Sequence, residues 1–64
     1  MRNTIFRNMM AKEFGEIRAD MLARDHVFSA LGSRTVDEAL EAGMPAKEIW
    51  RAVCEVFEVP LERR

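Results

Sequence analysis

Apolar residues recur along this chain in steps of one, three and four, the helical period, and nowhere in the strict alternation of a strand. In a first segment, about 4–14, Ile5, Phe6, Met9, Met10 and Phe14 share one side, and Asn3 or Thr4 is in place to cap it. A second, about 16–31, carries Ile17, Met21, Leu22, Val27, Phe28 and Leu31, with Ala19, Ala23 and Ala30 filling the stripe. Asp20 and Arg24 stand four apart on its polar side, acid first, the favourable order for an ion pair. Gly15 could lie inside one long helix at a cost of about 1 kcal/mol. A break there is the expectation, because two short helices can fold their stripes together and one long helix cannot.

The third segment, about 35–42, has the clearest start signal. Thr35-Val36-Asp37-Glu38 spells a capping box, in which the threonine hydroxyl accepts from a free backbone N–H and Glu38 reaches back. Val36, Ala39 and Leu40 face inward and Gly43 follows. The fourth, about 45–59, starts at Pro45, presents Ile49, Trp50, Val53, Val56 and Phe57, and is stopped by Pro60. Residues 60–64 read as a frayed tail. The fold expected is all-α, a single domain built as a small bundle of three or four short helices.

Length and composition narrow this picture. A chain of 64 residues buries only about 60 % of its unfolded surface, yet with 48 % apolar residues it needs no staple to hold a small core. The single cysteine, Cys54, excludes an internal disulfide, and the first residues resemble neither a secretory leader nor a membrane span. A cytoplasmic location is expected, with no membrane partner.

Residues 35–59 match many preferences of a helix-turn-helix unit: Ala39 four before the turn glycine, Ala42 just before it, Met44 after it, and Ile49 and Ala52 beyond. Glu38 departs from the pattern, being charged where an apolar residue is common. In a DNA reader Lys47, Trp50 and Arg51 would face the groove. These are packing preferences first, and a helix pair joined through glycine satisfies most of them for structural reasons. Charge then argues against DNA: the chain carries −1 net, and the acidic half is the one containing the unit. Residues 35–64 hold four basic side chains against seven acidic, whereas residues 1–34 hold six against four. Phosphate neutralisation supplies most non-specific affinity, and this half is poorly equipped for it.

Little else suggests chemistry. His26 and Cys54 are the only possible base and nucleophile, and Asp25 is badly placed to orient a neighbouring ring on a helix. One Cys and one His cannot build a zinc site, and no phosphate-cradling glycine motif occurs. No enzyme activity, metal or cofactor is expected; His26 reads as a hydrogen-bonded residue at the core edge, Cys54 as a buried thiol. The remaining signal is apolar width. Trp50 and Phe57, with Met9 and Met10 on the first segment, make faces wider than one neighbouring helix covers. Either they fill a core from two sides or they form a face that binds a protein partner or a second copy.

Several strings taken together, "EFG" at 13–15, "LARDHV" at 22–27, "LGSRTVDEAL" at 31–40, "KEIWRAVC" at 47–54 and "VPLERR" at the end, resemble a family of short actinobacterial proteins catalogued as a domain of unknown function. The resemblance spans nearly the whole chain. It implies a nucleic-acid context, members being often encoded near recombination genes, and it supplies no catalytic or binding residues. Ser33 stands where a second glycine is expected, a departure that concerns the local turn alone. The leading expectation is a non-enzymatic interaction module using Trp50, Met9, Met10 and Phe57; the alternative is a DNA-binding regulator using Lys47, Trp50 and Arg51.

Overall fold

A computed structural model describes all residues, 1–64. Four α-helices follow one another: α1 (Asn3–Phe14), α2 (Glu16–Asp25), α3 (Val36–Glu41) and α4 (Ala46–Val56). Single 3-10 turns occupy Ser29–Leu31 and Leu61–Arg63, and the whole measures 27 × 22 × 20 Å. The all-α class and the four segments are therefore present, with several boundaries moved.

Gly15 ends α1 and begins α2, at φ 86 and ψ 150. Its N–H donates to Ala11 O while its carbonyl accepts from Ala19 N, so one residue serves two helix ends. That backbone region is essentially closed to residues bearing a Cβ, which makes glycine the hinge. Neither Asn3 nor Thr4 caps α1; Arg2 occupies the cap position without a side-chain bond.

α2 stops at Asp25, well short of residue 31, because His26 turns to extended backbone. Phe28 then donates to the Arg34 carbonyl at 3.0 Å and closes a loop that drives Phe28 and Leu31 into the core. The loop ends as a helix does: Ser33 N–H bonds to Phe28 O, Gly32 N–H to Ser29 O, and both residues take positive φ, 60 and 72. The glycine expected at 33 thus corresponds to a left-handed site here filled by serine.

The inward face of α2 is not the one its larger apolar residues predict. Ala19 and Ala23 are buried, whereas Ile17 is 80 % and Met21 52 % exposed. A glycine hinge brings α1 and α2 close, and small side chains suit close approach better than Ile or Met. Val27 and Ala30, expected in the same stripe, are exposed as well. The expected Asp20–Arg24 pair does not form; Arg24 Nε lies 3.6 Å from Asp25 Oδ1 instead.

α3 carries the predicted capping box: Glu38 N–H donates to Thr35 Oγ1 at 3.1 Å and Thr35 N–H to Glu38 Oε1 at 2.8 Å. Ala39, Ile49 and Ala52 are buried as the helix-pair pattern requires, but Ala42 is exposed. α4 ends at Val56, three residues early. Phe57 N–H bonds to Val53 O, Glu58 takes φ 54, and Val59 N–H reaches Cys54 O, a left-handed stop that buries Val59.

The core runs from Phe6 and Met10 of α1, through Val36 and Ala39 of α3, to Ile49, Trp50, Val53 and Cys54 of α4. Trp50 meets Phe6 edge to face, centroids 6.1 Å apart. At the opposite edge Phe57 is ringed by Phe14, His26 and Phe28, at 5.4, 5.2 and 6.2 Å.

Candidate functional site

The residues expected to form a partner face do not do so together. Trp50 is 4 % and Met10 2 % exposed; both are core side chains. Phe57 is half-buried in its aromatic ring of neighbours, and Met9 is half-buried. The apolar width of α4 is consumed from several sides, by α1, α3 and the Ser29–Leu31 turn. A surface centred on Trp50 is therefore absent.

Met9 and Trp50 do come together as the apolar part of a cleft of about 640 Å³. Lys12 and Glu13 of α1 and Glu62, Arg63 and Arg64 of the C-terminal turn form the rest of its lining. This turn is not frayed. Arg63 donates through Nε and Nη2 to Glu13 Oε1 and Oε2 at 2.9 and 3.0 Å, a two-point pairing that ties the tail to α1. Arg64 donates to Val59 O at 2.7 Å and to Cys54 O at 3.3 Å, bracing the turn that follows α4. The hydrogen bonds from Arg63 hold the Glu13 carboxyl below its ordinary value of 4.5. Trp50 Nε1 is the one buried side-chain polar atom without a hydrogen-bond partner.

A second surface emerges on α2. At 100° per residue, Ile17, Arg18, Met21 and Asp25 project away from the Ala19–Ala23 side. Ile17 and Met21 share a groove with Phe14 and Arg18, and Met21 and Arg18 continue into another with Leu22, Asp25 and His26. Arg18 also lies over the Phe14 ring, 5.9 Å from its centroid. Sequence periodicity assigned Ile17 and Met21 to the core, so this surface was missed; the alanine stripe at 19 and 23, read as filler, was the signal.

Of the DNA-reading set, Lys47 and Arg51 are exposed while Trp50 is not. Arg51 shares its surface groove with Glu48 and Glu55, so α4 presents mixed charge there. His26 sits at the core edge as expected, but against the rings of Phe28 and Phe57 (4.5 and 5.2 Å) and without a hydrogen bond to its side chain. Burial pushes the Cys54 thiol up from its ordinary value, with Arg64 pulling it partly back. No group of three or more His, Cys, Asp or Glu side chains gathers where it could hold a metal. No helix is long and apolar enough to cross a membrane.

These features define a small all-α domain with a capped third helix and a C-terminal turn tied to α1. The chain belongs to the family DUF3046, described as a protein of unknown function, whose model matches residues 1–62. No curated protein and no solved structure matches it.

Proposed function

We propose that this protein is a small non-enzymatic interaction module that docks through the outer face of α2, and that its occupant is a second copy of the same face. The observation carrying this reading is the 80 % exposure of Ile17 one turn from half-exposed Met21, on a helix whose alanines take the core. Large apolar side chains left out beside half-buried Phe14 and Leu22 form a contiguous strip, the usual mark of an association surface.

The charges on that strip suit self-pairing. Two antiparallel copies of α2, related by a two-fold axis between Met21 and Leu22, bring each Arg18 opposite the other copy's Asp25 and each Met21 opposite Leu22. Such a pair is small, because a helix of ten residues is about 15 Å long. A pair this far below the usual interface size associates weakly and reversibly. Sedimentation velocity over a concentration series tests it: the wild type associates reversibly, and Ile17→Glu or Met21→Glu remains monomeric. A wild type that stays monomeric at millimolar concentration refutes the proposal.

The DNA reading has less support. Its aromatic member is in the core, and its two cations share α4 with Glu48 and Glu55, which oppose phosphate.

A further inference from the structure

We propose that the α2 face is redox-sensitive: two-electron oxidation of the Met21 thioether to a sulfoxide by a peroxide dissociates the pair of copies. The inference rests on the self-pairing reading of α2 and adds a means of regulating it.

Three observations converge. First, the five methionines are not equally open to an oxidant. Met10 is 2 % exposed, and Met9 and Met44 are half-buried against the core. Met21 is 52 % exposed, matched only by Met1, which precedes α1 and lines neither groove of the α2 face. Second, Met21 lines both grooves and stands beside the two-fold axis, opposite Leu22 of the other copy. A sulfoxide there sets a strong acceptor against an aliphatic side chain, and burying it unpaired opposes association. Third, the cation that shares both grooves with Met21 is Arg18, one turn away. In the pair Arg18 faces the other copy's Asp25, so it serves the sulfoxide oxygen only by giving up that contact.

In the oxidation a lone pair of Met21 Sδ attacks one oxygen of hydrogen peroxide; the O–O bond breaks as an S–O bond forms. The departing hydroxide takes the proton from the transferred oxygen and leaves as water. Sulfur loses two electrons and the peroxide gains them. The flexible apolar side chain becomes a polar, chiral one, a change that thiol-dependent sulfoxide reductases undo, with two thiols becoming a disulfide and the oxygen leaving as water.

Sedimentation velocity before and after brief treatment with hydrogen peroxide tests this, with peptide mass mapping to place the added oxygen. The wild type should gain oxygen at Met21 while Met10 stays unmodified. Its self-association should weaken by at least about tenfold, as expected for burial of an unpaired acceptor. Met21→Leu, which keeps the apolar body without the sulfur, should pair as the wild type does both before and after treatment. A wild type that is monomeric before treatment refutes the self-pairing reading of α2 and this inference with it. A wild type that pairs, takes up oxygen at Met21 and stays paired overturns this inference alone. The same holds for a paired wild type whose Met21 stays unmodified, and for a Met21→Leu variant that fails to pair or dissociates on treatment.

Discussion

Arg63 and Glu13, fifty positions apart, meet through two parallel hydrogen bonds of 2.9 and 3.0 Å that fasten the last turn of the chain to α1. The bonds act on the ionised carboxylate and hold its pKa below the ordinary 4.5, so the group binds a proton less readily folded than unfolded. A depressed folded pKa contributes stability that is present above the unfolded pKa and lost as pH falls through the folded one. Glu13→Gln should therefore lower the thermal midpoint slightly near pH 7, and the gap from wild type should shrink as pH falls below the ordinary 4.5 and vanish once the folded-state carboxyl is protonated. Thermal melts from pH 7 down into acid check this. A gap that persists in acid contradicts an electrostatic tie.

Two side chains occupy left-handed backbone that glycine fills more easily: Ser33 at φ 60 and Glu58 at φ 54. Left-handed geometry costs an L-residue roughly 1–2 kcal/mol, offset in part by the extra freedom glycine brings to the unfolded chain. Ser33→Gly and Glu58→Gly should each raise the melting midpoint by a few degrees, on the order of 4 °C for a domain of this size. The reverse change, Gly15→Ala, should destabilise by about 1–3 kcal/mol, since φ 86 with ψ 150 is a glycine region even though no atom lies within 4 Å of the added Cβ. Differential scanning calorimetry of the three variants separates backbone strain from side-chain contact.

Cys54 is fully buried in α4, and burial pushes its thiol up, leaving little thiolate to react. Alkylation by iodoacetamide at pH 7.5 should be at least about a hundredfold slower in native buffer than in denaturant, because reaction waits on opening of the protein. Rapid native modification would show an accessible thiol and revive a chemical role for it.

What the sequence made legible divides by physical cause. The capping box at Thr35–Glu38, the break at Gly15 and the buried positions Ala39, Ile49 and Ala52 were all readable, because each depends on local hydrogen bonding or on one helix's own period. The facing of α2 was not. Its larger apolar residues form a respectable stripe, and only the close approach of α1 decides in favour of Ala19 and Ala23. Trp50 stayed undecided between core and surface, because a wide apolar face signals burial from several sides as readily as an open surface. The end of α2 at Asp25 has no glycine or proline to announce it and depends on the Phe28–Arg34 closure nine residues on. The tail looked frayed because the partner of Arg63 lies at the other end of the chain.

Charge reversal across the proposed two-fold axis tests most directly whether α2 presents a self-complementary face. Arg18→Asp and Asp25→Arg each place like charges opposite one another at both symmetric contacts, and each should weaken self-association about tenfold in sedimentation equilibrium. Because each Arg18 faces the other copy's Asp25, the double variant restores opposite charges and should recover wild-type association. Single variants that associate as the wild type does, or a double variant as weak as either single one, would contradict the pairing.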